Sequence, residues 1–125
     1  MQARKAAQKR AEHGRSDDAP HKLSVLFIES RSGWTAQCLE HDIAAQADSL
    51  NALFDEIERV LVAQVALDEA QGRRPFEGIE PAPAKFWDAF RAARTKMQRP
   101  AAGLRAGGEG APRVEPTIRI AERAA

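Results

Sequence analysis

The sequence predicts an α+β fold: a small antiparallel three-stranded sheet, one main amphipathic helix packed on it, a second helix and a C-terminal edge strand. Three observations carry this. Short runs of strand length, separated by turn residues, succeed one another between residues 23 and 46. A long stripe of apolar residues at helical spacing follows directly. Past Gly72 the chain becomes rich in proline, glycine and alanine, with one short helical and one short alternating pattern inside it.

Residues 23–28 (LSVLFI) are an apolar run with β-branched and aromatic members, the length of a buried strand. Ser30-Arg31-Ser32-Gly33 is a turn signal, because glycine takes positive φ without strain. In residues 34–40 (WTAQCLE), Trp34, Ala36 and Cys38 alternate with Thr35, Gln37 and Leu39, which predicts a second strand antiparallel to the first. Glu40-His41-Asp42 reads as a tight connection into a third strand over residues 43–46. Asp48 or Ser49 is placed to cap a helix. Leu50, Leu53, Phe54, Ile57, Val60, Leu61 and Leu67 form one helical face ending near Gln71, with Gly72 as the stop. Residues 73–83, with three prolines, read as a linker. Phe86, Phe90, Ala93 and Met97 give a second helix over about 84–99, with Arg91, Arg94, Lys96 and Arg99 on its other side. Residues 101–116 read as a flexible loop, and residues 117–121 as a final short strand.

Three segments result: a basic tail over 1–20, a folded β-β-β-α unit over 21–72, and a composite region over 73–125. The tail carries almost no large apolar side chain and is expected to be disordered. The chain has no Tyr and only two Trp, so its core is small and a homo-oligomer or a partner would help to stabilise it. A lone cysteine, the absence of an apolar leader-like run and the lack of any membrane-length apolar stretch lead to the expectation of a cytoplasmic protein.

The net charge of +1 conceals a strong pattern. Residues 23–70 carry nine acidic side chains against Arg31 and Arg59, a net of −7. The flanks are basic, +3 over residues 1–22 and +5 over 71–125. An acidic folded middle attracts a basic macromolecule and repels nucleic acid, whereas basic flanks do the opposite.

The run LSVLFIESRSGWTAQCLEHDIAAQADSLNALFDEIERVL resembles the HicB-like antitoxin domain. The residues that carry the likeness are the segment from Gly33 and Trp34 through Cys38 to Glu40, the short strand at 43–46, and Asp48-Ser49-Leu50 opening the helix. The resemblance covers residues 23 to about 67. It implies a HicB-like arrangement of sheet and helix, and a role in binding and neutralising a small basic ribonuclease toxin, HicA. Family members often add a C-terminal DNA-binding module. Residues 72–125 show neither a helix-turn-helix nor a ribbon-helix-helix pattern, so autorepression is not expected here.

Partner contact is expected from the acidic face: Asp55, Glu56, Glu58, Glu40 and Asp42. The rival reading is a nucleic-acid-binding accessory protein that uses Arg4, Lys5, Lys9 and Arg10 of the tail together with the basic second helix. No catalytic residue, metal site or cofactor is expected. Glu40-His41-Asp42 holds the right side-chain types for a metal or for acid–base work, but three consecutive residues on a turn point in different directions. HicB-like domains have been likened to a trimmed RNase H fold, whose nucleases gather carboxylates around two metal ions. The first strand here offers no acid before Glu29.

Overall fold

The computed structural model describes residues 21–97 and 114–122. They form a five-stranded mixed sheet with a helix on each face. The elements in chain order are β1 (His21–Ser30), β2 (Gly33–Cys38), β3 (Ile43–Ala47), α1 (Leu50–Ala70), α2 (Ala84–Ala92), β4 (Thr95–Met97) and β5 (Val114–Ile120). The strand order is β3-β2-β1-β5-β4. The tail and residues 98–113, including Arg99, lie outside the described residues.

β1 and β2 form a two-residue hairpin closed by Ser30 and Gly33. Gly33 has φ +138, and a Cβ there would stand 2.7 Å from the Ala47 carbonyl oxygen. The position therefore admits only glycine without a shift of the β3 end. β3 continues the antiparallel meander. Ser49 caps α1, its hydroxyl accepting the Ala52 N–H at 3.2 Å. The helix ends at Ala70, followed by Gln71 and then Gly72 at φ +74.

The main core lies between α1 and one sheet face. Leu23, Val25, Phe27, Ala36, Cys38, Ala45, Val114 and Ile118 meet Leu53, Phe54, Ile57, Leu61, Val62 and Val65 of the helix. Phe27 and Phe54 pack edge to face at 5.4 Å. A second cluster on the opposite face joins Leu26 and Leu39 to Ala82, Phe90 and Ala93. β1 therefore contributes to both clusters, which is why residues 25–27 read as a continuous apolar run and not as an alternation.

Several expectations are corrected. The sheet has five strands, not three. The C-terminal strand is not an edge: β5 begins at Val114 and runs parallel to β1, between it and β4. Pro116 disguised its first residues, since proline lacks a ladder donor, yet Pro116 stands opposite Leu23 inside the sheet. The second helix stops at Ala92 instead of running to about 99. Ala93 is extended, and Thr95, Lys96 and Met97 pair with Ile120, Arg119 and Ile118. Met97 thus packs on the main core from a strand and not along a helical stripe. Leu67 is 50% exposed rather than part of the buried face, and Asp68 is fully buried beside it. The 73–83 linker also contributes to the core, through Phe76 and Ala82.

Candidate partner-binding surface

The acidic residues expected at the surface do different things. Asp55 is exposed. Glu56 is half-buried and ion-paired with exposed Arg59 one turn on. Asp42 is exposed, and its carboxylate accepts the Gln37 side-chain amide at 2.8 Å, which fixes its orientation. Glu40 is half-buried and accepts the Ser24 N–H at 2.7 Å, so it braces β1. Glu58 is corrected: it is only 6% exposed, one turn after Phe54 and one before Val62 on the packed side of α1. It is no part of a solvent-facing surface. Asp48, not singled out beforehand for contact, is exposed at the far end of β3.

Asp42, Asp48, Asp55 and Glu56 lie on or beside β3 but on different faces: Asp42 is next to Gln37 on the sheet face away from α1, and Asp55 and Glu56 are on α1 at the other face. Asp42 and Asp48 bracket β3, and α1, which carries the other two, packs on that strand. A shallow cavity of about 270 Å³ opens at the Asp48 end, lined by Ser30, Ser32, Trp34, Thr35, Gln46 and Ala47. Basic side chains lie on the far side. Lys85 and Arg91 of α2, Arg94, and Lys96 of β4 are all exposed. Arg91 is paired with Asp88 at 2.6 Å. Half-buried Arg119 stacks on the Phe90 ring at 4.5 Å and donates to the Phe90 carbonyl at 2.9 Å, so it serves the second cluster. Arg4, Lys5, Lys9 and Arg10 lie outside the described residues.

His41 turns away from its two acidic neighbours. Its ring stacks on Phe76, with centroids 4.5 Å apart and planes at 12°, and its Nδ1 lies 3.3 Å from the Ile79 carbonyl oxygen. His21 meets the same phenylalanine edge-on at 6.2 Å. Glu40, His41 and Asp42 thus serve three separate structural partners. Among the described residues no three of His, Cys, Asp and Glu come together as a metal-binding group.

Asp68 is the buried charge that the sequence reading missed. One carboxylate oxygen accepts the Gln64 amide at 3.1 Å and the Arg73 guanidinium at 2.9 Å, and the other accepts the Phe76 N–H at 2.7 Å. Burial opposes its ionisation. The hydrogen bonds from Phe76, Arg73 and Gln64 and the Arg73 charge outweigh that, and its pKa lies below the usual 3.8. Phe76 is the one non-glycine residue with positive φ, at +64, among those described, and it is held there by this bond. The signal was present, since Asp68 continues the stripe of Leu61 and Val65 at helical spacing. Cys38 is fully buried, and desolvation pushes its thiol up to about 11. It is a packing residue and not a nucleophile.

Among the described residues no helix is long and apolar enough to cross a membrane. Comparison with family models, with curated proteins and with solved structures gives no significant match, so the likeness to HicB-type domains stands on residues 23–67 alone.

Proposed function

We propose that this chain is a non-catalytic protein-binding module of the HicB antitoxin kind, working in the cytoplasm, whose acidic edge takes a small basic protein. Following the resemblance, that protein is a ribonuclease toxin, neutralised by being bound. The observation that carries the reading is the separation of charge across the sheet. Exposed Asp42, Asp48 and Asp55 lie beside β3 and the first turns of α1, where Arg31 and Arg59 are the exposed cations. Exposed Lys85, Arg91, Arg94 and Lys96 lie beside α2 and β4, where Asp88 and Glu122 offset part of their charge. Such a field speeds encounter with a basic partner and sets its orientation.

The test is recovery from native lysate with and without nuclease. The bait is the full chain or its triple variant Asp42→Asn, Asp55→Asn, Glu56→Gln. The reading requires a small basic protein that survives nuclease treatment, is lost with the variant, cleaves RNA, and stops cleaving when the chain is added back. The exposed set Lys85, Arg91, Arg94 and Lys96 favours the second reading, a nucleic-acid-binding accessory protein. Nuclease-sensitive recovery that depends on Arg4, Lys5, Lys9 and Arg10 would decide for it, with a steep loss of binding as salt rises.

A further inference from the structure

β3 is an outer strand of the sheet. Strand edges present unpaired N–H and C=O groups, and proteins guard them with shortness, charge or proline. The other outer strand, β4, spans three residues with Lys96 at its centre. β3 spans five, IAAQA, without a charge or a proline.

Ladder alternation fixes which of its groups face outward. Ser30 and Gly33 close a two-residue hairpin, so Gly33, Thr35 and Gln37 turn their backbone groups toward β1. Trp34, Ala36 and Cys38 then turn theirs toward β3, to meet Ala47, Ala45 and Ile43. Asp42, Ala44 and Gln46 are left facing outward. The Asp42 N–H agrees with this count: it donates to the Glu80 carbonyl at 2.7 Å, where the chain passes the start of the edge. Ala44 and Gln46 are exposed, and no described segment pairs with them on that side.

Charge selects what pairs there. Exposed Asp42 and Asp48 stand at the two ends of the strand, about 20 Å apart along it. A second copy added antiparallel about Ala45 would set each Asp42 against the other chain's Asp48, and a parallel copy would set like residues together. Both arrangements are repulsive. An extended segment with basic side chains at its two ends meets attraction at the same places.

We propose that the β3 edge receives an extended segment of a partner protein as an added strand along Ala44 and Gln46, with one Lys or Arg opposite Asp48 and another whose side chain reaches the exposed Asp42 carboxylate at the end where the Glu80 carbonyl already meets the strand. Main-chain bonds to Ala44 and Gln46 supply affinity, and the paired charges supply selection. This rests on the basic-partner reading above and adds the mode of docking to it.

The test uses the full chain and a displayed library of random peptides, followed by synthetic copies of the enriched sequences. The enriched peptides carry two basic residues about six positions apart with β-branched residues between them. They slow amide exchange at Ala44 and Gln46, and lose at least about tenfold in affinity against the double variant Asp42→Asn, Asp48→Asn. Ala44→Pro blocks the edge, removing only an outward N–H that β2 does not use. Ala44→Lys guards it by charge, should the proline disturb the fold by circular dichroism. Enriched peptides without paired basic residues, unchanged exchange at Ala44 and Gln46, or self-association abolished by Ala44→Pro each overturn the proposal. A basic protein lost on neutralising Asp55 and Glu56 but indifferent to both Ala44 variants also overturns it, and leaves the antitoxin-like reading standing. Basic peptides that protect the edge when no basic protein is ever recovered support the proposal and sink that reading instead.

Discussion

Replacing Asp68 with Ala removes the acceptor that holds the turn after α1. The Phe76 N–H lies in a buried bond, and its residue is only 3% exposed, so no water replaces the lost oxygen. Leaving such a donor unsatisfied costs about 1–3 kcal/mol. Arg73 adds little, because its side chain is already 46% exposed and returns to solvent. The strained φ of Phe76 loses its anchor as well, so the damage should centre on residues 71–79 and not on the sheet. Acid provides an independent readout. The folded pKa of Asp68 lies below its unfolded value near 3.8. Its contribution is therefore complete above that pH and disappears as the pH falls through the depressed folded value. Urea unfolding from pH 7 down to pH 2 measures both effects. The wild type should lose stability below about pH 4 more steeply than Asp68→Asn, which has no proton to gain there. A loss below about 0.5 kcal/mol at pH 7, the range of neutral surface changes, together with parallel acid limbs, would refute the account of this buried charge.

Other positions give sharper single readings. Ile57→Ala should destabilise by about 2–5 kcal/mol in denaturant unfolding, because the side chain is wholly buried beneath the sheet. Gly33→Ala forces a Cβ against the Ala47 carbonyl at an unfavourable φ, and should cost more than about 1 kcal/mol. Its thermal midpoint should fall clearly below that of Gly72→Ala, where the space around the Cβ is open. Cys38 should resist alkylation in the native protein near neutral pH and react promptly once denaturant is added, given a thiol raised to about 11 and no exposure.

What the sequence disclosed was local. The hairpin at Gly33, the short third strand, the Ser49 cap and the stripe through Leu53, Ile57 and Leu61 each depend on residues within a few positions of one another. The misses depended on distance or on a polar residue in an apolar place. β5 pairs with β1 across most of the chain, and no periodicity in residues 114–120 announces a parallel partner. Glu58 read as solvent-facing because carboxylates usually are, and Asp68 was not singled out, although their helical positions bury both. The exposure of the candidate surface was half legible for the same reason: Asp42 and Asp55 are exposed, Glu40 and Glu56 are half-buried, Glu58 is buried, and exposed Asp48 was not expected to contact a partner.

The strand whose pairing could not be read decides where a partner can dock. A meander of β1, β2 and β3 alone would leave two open edges, one on β1 and one on β3. The β1 edge would be the longer and more apolar, since Val25, Leu26 and Phe27 lie along it. Parallel pairing with β5 closes that edge over its first seven residues, from His21 to Phe27. β4 then ends the sheet on that side with a short strand centred on a lysine. Strand addition is thereby denied to the strand with the most large apolar side chains and left open at β3, which carries a single one, Ile43, between Asp42 and Asp48. An edge of alanine and glutamine offers little apolar surface to drive association by burial, so charge and main-chain bonding must carry the selection. That is the arrangement expected of a surface that must refuse its own copies and accept a basic segment.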